Sequence, residues 1–356
     1  MGKYSLLVIG GLVLAAGLIT SNLNQMSEYF VDDMIEHNER AEARLVANSM
    51  AHMSLAMLRD SSSWRDGYSG VSIGEGTGWA TLDDNTTDTT LSTGQVRITA
   101  RGSSGGIADT ATVIAQVPTI PPAVRAGVTA NSVVKELGNM VIDGRNHDLN
   151  GIVIVGEGTF GVSTVATLTQ SGNAKVGGTA AGLDYAPSKS PPSSIIEENA
   201  TYTFPISPDA VFGYDPGTLK ALAQAGVNGS QYATDPASLT FSLVSITYVE
   251  LADGASWSPI DFGASTGVLV VHNSAGNALM KNLNSGTFKG LIISDDIEKV
   301  HNTIIGAVVS MIPTPSGNCI GNGSGQILYS SAALEEATSV SLGGGGGEVS
   351  VISWLE

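Results

Sequence analysis

Cysteine occurs once in the 356 residues, at Cys319, so no intrachain disulfide can staple the fold. Stability must come from burial, from assembly or from a bound ion. Charge is also scarce. Asp, Glu, Lys and Arg make up 14% of the chain, too little for a helical bundle with solvated faces. Basic residues are the scarcest of these: 16 Lys and Arg stand against 33 Asp and Glu, for a net charge of −17. Such a surface repels phosphate backbones and argues against nucleic acid as a partner. The histidines, His37, His52, His147, His272 and His301, fall in no H-x-H or H-x-x-x-H spacing, so transition-metal binding has no support.

Other residues are plentiful. Hydrophobic residues reach 42%, enough for a real core, and 44 glycines accompany many Ser and Thr. This composition predicts an α+β chain that is mainly β: a long N-terminal membrane or amphipathic helix, then a β-rich body that is β-solenoid-like or made of stacked sheets. An irregular β-sandwich is the plainer alternative for the body. The expected divisions are 1–62 for the helix, 63–117 for a small β region, and 118–356 for the main β-rich domain, with Pro118, Pro121 and Pro122 as a stiff linker.

The N-terminus carries the strongest local signal. After Met1-Gly2-Lys3, an apolar run extends from Tyr4 to Ile19. With Thr20 and Ser21 it reaches about 18 residues, the lower edge for a membrane span. Lys3 before the run and Glu28, Asp32, Asp33 and Glu36 after it predict an N-in, C-out anchor. A cleaved signal peptide is the alternative. No Gly or Pro interrupts Thr20 to Trp64, so one helix is expected from Leu6 to Arg59, roughly 80 Å at 1.5 Å per residue. Met26, Phe30, Met34, Ala41, Leu45, Leu55 and Leu58 recur at helical intervals and are the expected packing face. Met50, Met53 and Met57 read as core. Ser61-Ser62-Ser63 and Asp66-Gly67 should end the helix.

Beyond it, Val71 to Ile73, Gly94 to Ala100 and Thr110 to Ala115 alternate like strands. Farther on, apolar strands repeatedly follow a glycine: Gly151 to Val155, Gly267 to Val271, Gly290 to Ile293 and Gly306 to Val309, with Gln326 to Tyr329 closing the series. Pro216 to Gly229 reads as a helical insert with Thr218 as N-cap and Gly226 as stop. Residues 187–205 read as a surface loop, and Gly343 to Gly347 as a flexible segment before a short strand, Val349 to Ile352.

Several motifs touch on chemistry. Gly156-Glu-Gly-Thr-Phe-Gly161 spells G-x-G-x-x-G, but a β-branched stretch follows where a dinucleotide site needs a helix. Gly102-Ser-Ser-Gly-Gly106 matches G-x-S-x-G without the strand–turn–helix of a nucleophile elbow. Asn146, Asp148, Asn150 and Glu157, with Gly151 between, reproduce the spacing of a calcium loop with Asn at the first position, so calcium is the one candidate cofactor. An Asn/Asp turn before a strand explains the same residues. Asp143, Arg145, His147 and Asp148 bring acid, base and guanidinium close in sequence. An Arg145–Asp ion pair accounts for them more cheaply than catalysis, and the chain is not expected to be an enzyme.

A short leader, an apolar first helix half and an amphipathic second half together resemble type IV pilin-like proteins, including PilX-type minor pilins. Gly290-Leu-Ile-Ile, Gly306-Ala-Val-Val and Ile327 to Leu334 are similar to the C-terminal part of PilX-like pilus assembly proteins. Pilins carry Glu at mature position five, where this chain has Leu7 if Gly2 ends the leader. The resemblance implies a structural subunit or minor component of a cell-surface filament, with the membrane and other pilin-like subunits as partners. Leu6, Leu7, Val8, Ile9, Leu12, Val13, Leu14, Leu18 and Ile19 would be its assembly helix. Two other readings stay open: an anchored adhesin or glycan-binding protein using Tyr185, Tyr214, Tyr232 and Trp257, and a β-solenoid polysaccharide-active enzyme using Asp143 and Asp148.

Overall fold

The computed structural model describes residues 2–62, 64–91, 94–117, 120–315, 319–341 and 349–355, with the side chains of 2–8, 10, 60, 322, 339–341 and 350 left aside. The fold is mainly β with a long N-terminal helix. The chain forms two compact units, one from residues 1–116 with 350–356, the other from residues 117–349.

In the first unit, α1 runs from Gly2 to Asp60, 59 residues without a proline. The sheet beside it is antiparallel: β1 (Tyr68–Ile73), β2 (Gly76–Asp84), β3 (Gln95–Ser104), β4 (Ile107–Gln116) and, last, the C-terminal strand Ser350–Leu355. Strand β2 was not expected. Its Gly-Thr-Gly opening and Asp-Asp close are poor strand formers, and tertiary pairing overrides them. The β3–β4 turn is Gly105-Gly106, both at positive φ, which suits the tight hairpin that pairs Ser104 with Ile107.

The buried face of α1 is Ala43, Val46, Ala47, Met50, Ala51, Ser54, Leu55 and Leu58. The expected face was different: Met26, Phe30, Met34 and Leu45 are exposed, and only Leu55 and Leu58 of that set are buried. The sheet sets the register through small residues. A Cβ on Gly102 would lie 2.1 Å from the Ala43 carbonyl oxygen, and one on Gly78 2.4 Å from Met50 Cγ. Helix and sheet touch at backbone distance, so alanines, not the largest apolar side chains, mark the contact. Met53 of the expected methionine core is 37% exposed.

The expected membrane span is not met. Among the described residues no helix is long and apolar enough to cross a membrane. The side chains of Leu6, Leu7 and Val8 lie outside the described residues. The rest of the run ends at Ile19, after which Thr20, Ser21, Asn22, Asn24 and Gln25 are polar.

In the second unit, parallel strands form three ladders that the chain visits in turn. The first joins Ile246–Glu250, the ends of Asp261–His272, Ser285–Ser294 and Thr303–Ser310, then Ala126–Ala130 and Phe160–Thr164. The second joins Ser256–Trp257, Leu279–Leu283, Asp296–Val300, Cys319–Gly323, Val134–Gly138 and Leu168–Gln170. The third joins the starts of those long strands to Gln326–Leu328, Val141–Asp143 and Lys175–Ala180. The first passes of this unit thus pair beside its last ones.

One core fills the space that the ladders share, including Val128, Ile142, Leu269, Phe288, Ile292, Ile304, Ile320 and Ile327. A second core covers the other side of the first ladder with α2 (Pro208–Phe212), α3 (Thr218–Ala225) and α4 (Ser331–Ser341). Strands buried on both sides read as unbroken apolar runs, hence Val268 to Val271, Leu291 to Ile293 and Ala307 to Val309. The glycines before these runs align in register, Gly267 with Gly290 and Gly290 with Gly306. All three have positive φ, and a Cβ on Gly306 would lie 1.9 Å from the Gly290 carbonyl oxygen. They turn each long strand from the third ladder into the first.

Gln326–Leu328 closes the series as expected, pairing in parallel with the start of Thr303–Ser310 in the third ladder. Two expectations need correction here. Gly151 to Val155 does not join the series: Val153–Ile154 pairs only with Asn146–His147, and Val155 is exposed. Thr218 is not the N-cap of α3. Gly217 holds that position, and the buried Asp209 carboxylate accepts from Gly217 N (2.9 Å) and Leu219 N (2.8 Å). Gly226 ends the helix as expected, in left-handed conformation. The 187–205 segment is partly ordered by Leu183–Ser188 and a 3-10 turn at Ser193–Ile195. Gly343 to Gly347 lies outside the described residues, and the short strand after it is Ser350–Leu355.

Candidate assembly interface

Among its described side chains, α1 presents an apolar, exposed surface that begins at Ile9. Ile9, Leu12, Val13, Leu14, Leu18 and Ile19 are each at least 60% exposed, and Leu23, Met26, Tyr29, Phe30, Val31, Met34 and Ile35 continue the surface. From Ile9 to Ile19 apolar side chains cover every side of the helix, a pattern that water does not stabilise and that other apolar surface does. Each such side chain gains about 1.5–3 kcal/mol when fully buried. Charge along the helix is sorted. Lys3 is the only Lys or Arg before Arg40, whereas Glu28, Asp32, Asp33, Glu36, Glu39 and Glu42 crowd the middle.

Where α1 meets the sheet, Val31, Met34, Ile35, Glu39, Glu42, Glu75 and Ser104 line a cleft of about 500 Å³. Glu42 fixes this junction. One carboxylate oxygen accepts from Glu75 N (3.1 Å) and the other from the Ser104 hydroxyl (2.8 Å). The apolar surface therefore continues onto a helix whose second half is held by a folded sheet.

The calcium-loop residues have the following places. Asn146 is buried, and its carboxamide accepts from Ser331 N and donates to Ser331 Oγ, both at 2.9 Å, at the start of α4. Asp148 Oδ1 accepts from Ile152 N and Asn150 N, both at 2.8 Å, and these bonds hold its carboxyl below the usual carboxylate range. Asn150 and Glu157 are exposed. Two of the four are thus committed to a turn and a helix start. Among the described residues no group of three or more His, Cys, Asp or Glu is placed to hold a metal ion.

Asp143, Arg145 and His147 do come together. Asp143 is buried, and Arg145 grips its carboxylate through Nε (3.0 Å) and Nη2 (2.6 Å). His147 Nε2 stands 3.5 Å from the same carboxylate, and its Nδ1 is 3.0 Å from the Tyr329 carbonyl oxygen. Both neighbours of the imidazole are acceptors, so the ring fits best as a doubly protonated cation. Burial opposes that charge, but the Asp143 carboxylate and the Tyr329 carbonyl outweigh it and raise the pKa. For Asp143 burial acts upward, and the bonds from His147 and Arg145 bring it down overall. The trio is internally satisfied, which suits a structural clasp.

The four aromatics expected on a ligand face are not displayed together as exposed residues. Trp257 is buried, and Tyr185, Tyr214 and Tyr232 are half-buried. Tyr232 donates its hydroxyl to Glu250, which also pairs with Lys220 (2.7 Å). The G-x-G-x-x-G segment starts in a turn, where Gly156 N donates to Asp184 Oδ2, and runs into the strand Phe160–Thr164, with no helix after it. The sequence reading missed Asp295, a buried acid that accepts from Asn273 N and Ala278 N and lies 2.6 Å from His272 Nδ1. Its position two residues after the apolar run Leu291 to Ile293 was the available signal.

No protein-family model matches the chain. No curated protein matches it either. Among solved structures, the competence-associated pilin ComZ from Thermus thermophilus is similar over 89% of this chain and 97% of that one, at 13% identity and a TM-score of 0.29. That score is too low to define a shared overall fold, and no residue role is carried across.

Proposed function

We propose that the chain is a pilin-like structural subunit, a minor component of a type IV pilus-like cell-surface filament, and not an enzyme. The observation that carries this reading is the division of α1. One face between Ala43 and Leu58 is buried against a folded antiparallel sheet, while Ile9 to Ile35 presents apolar side chains to solvent. A helix pinned at one end and apolar at the other suits packing against equivalent helices, driven by roughly 25 cal/mol per Å² of apolar area buried. The second unit, in this proposal, is a β-solenoid body carried by that helix: its ladders are parallel, and the chain climbs one position per circuit.

The test is Val13→Asp in the source cells. The variant should fall at least tenfold in sheared surface material, because a carboxylate buried among apolar helices is unpaired. Its thermal unfolding in detergent should stay unchanged, since Val13 is 66% exposed within one chain. Equal recovery of variant and wild type in sheared material would sink the proposal, as would absence of the wild type from that material.

A further inference from the structure

We propose that Asn199 carries an N-linked oligosaccharide, added to the folded chain once it has been exported, as the cell-surface role proposed above requires. Asn-x-Ser/Thr, with any residue but proline between, is the triplet that accepts such sugars in exported proteins. The sequence holds it four times: Asn85-Thr86-Thr87, Asn199-Ala200-Thr201, Asn228-Gly229-Ser230 and Asn322-Gly323-Ser324. In a chain rich in Ser and Thr the triplet also arises by chance, so the fold has to distinguish these copies.

Transfer to a folded chain needs two free side chains. The Asn carboxamide nitrogen forms the new bond, and the hydroxyl two residues on sets the triplet apart from any other Asn. In the first copy the Thr87 hydroxyl is engaged twice by Asp84: it donates to the carbonyl oxygen at 3.2 Å and accepts from the amide nitrogen at 3.1 Å. In the third, Ser230 is buried, with Oγ 2.9 Å from Ser245 Oγ. The side chain of Asn322 lies outside the described residues. Asn199 and Thr201 are both exposed, and neither side chain is hydrogen-bonded among the described residues.

The backbone holds this copy at a turn. Asn199 has a φ of 52°, a left-handed conformation that Asn tolerates better than most residues. Its amide nitrogen donates to the Ala166 carbonyl at 2.8 Å, and that of Ala200 to the Thr164 carbonyl at 3.0 Å. The main chain is fixed while both side chains stay unbonded. The place also gives the sugar a task. Ile196–Glu197 is an outermost strand of the first ladder, paired among the described residues with Phe160–Thr164 alone. A bulky, hydrated group two residues beyond that strand would screen its open edge from pairing with another chain.

The reaction is a glycosyl transfer from a lipid-linked oligosaccharide, which the cell envelope supplies together with its transferase. Asn199 Nδ2 bonds to the anomeric carbon, and the bond from that carbon to the lipid phosphate oxygen breaks. The electron pair leaves with the phosphate, and the proton lost from Nδ2 goes to a base of the transferase.

The experiment is peptide mass spectrometry of the full chain recovered from the source cells, from sheared surface material and from membranes separately. The wild-type peptide containing Asn199 should be heavier by a whole number of sugar residues, and the peptides containing Asn85 and Asn228 should have their bare masses. Thr201→Ser should keep the addition. Thr201→Val and Asn199→Gln should lose it, and each changes only an exposed, unbonded side chain. A bare Asn199 peptide in both fractions overturns the proposal, as does an addition that survives in Thr201→Val. A chain found in membranes alone would sink the filament reading and leave the mass at Asn199 to be read. A bare Asn199 in sheared material would sink the glycan and leave the filament reading standing.

Discussion

His147 shows how a buried charge couples this fold to pH. Its imidazolium donates to the Asp143 carboxylate and to the Tyr329 carbonyl, and Tyr329 N donates back to the Asp143 carbonyl at 2.8 Å. The folded pKa is raised above the unfolded one. The stabilisation is therefore complete below an unfolded value of about 6.5 and is lost as pH rises through the folded value. The resistance of the second unit to urea should thus fall as pH rises above about 6.5. His147→Leu should flatten that slope and cost about 1–3 kcal/mol at pH 6, because Asp143 loses a donor in a buried place. An unchanged pH profile in the variant would refute the clasp. The Asp143–Arg145 half was legible in the sequence, since the two lie two positions apart. His147 was legible as a neighbour of both, but its Tyr329 carbonyl partner was not, because it is 182 positions away. Asp209 of α2, which caps α3, and Asp295 beside His272 escaped for the same reason: a buried acid announces itself through partners that only the fold assembles.

Helix α1 was foreseen almost to its ends, since a long stretch without proline propagates as one helix. Its buried face was not. Hydrophobicity pointed to Met26, Phe30, Met34 and Leu45, the large residues, but the sheet accepts Ala43, Val46, Ala47 and Met50. Close approach of two backbones selects small residues, and periodicity analysis weights them little. Gly102 tests this account, because its φ is not in the left-handed region and only space constrains it. A valine there would push its Cβ against the Ala43 carbonyl at 2.1 Å and the Ala47 amide nitrogen at 2.6 Å, both backbone atoms. Gly102→Val should cost about 3 kcal/mol in the first unit, at the upper end for overpacking. A neutral result in thermal unfolding would mean that the helix does not rest on β3 as described. In the second unit the glycine-led runs were legible as repeats, and the register of Gly267, Gly290 and Gly306 explains why. Which ladder each run joins was not legible: Gln326–Leu328 was grouped with its true neighbour Thr303–Ser310, but nothing local showed that it pairs with the start of that strand and not with its apolar end.

On the scale of the whole chain, the second unit is an insertion. The first unit closes only when residues after Val349 return to it, and Ser350–Leu355 pairs antiparallel with β4 over Thr112 to Gln116. Trp354 from that strand packs 4.8 Å from His52 of α1, tying the two chain ends into one structure. Sequence reading identified the strand but could not give it a partner, because some 230 residues intervene and strand pairing leaves no local mark. Deleting residues 350–356 should therefore weaken a unit whose other parts all lie before Val117. Each ladder hydrogen bond lost costs about 0.5–1.5 kcal/mol, and the bared edge of β4 becomes a template for intermolecular pairing. Calorimetry of the full chain should resolve two transitions, of which the truncation lowers one and leaves the other in place. A truncated chain with both transitions unmoved would mean that the C-terminal strand merely decorates the sheet. If instead both fell together, the two units would be one cooperative body, and the insertion would be a feature of chain order alone.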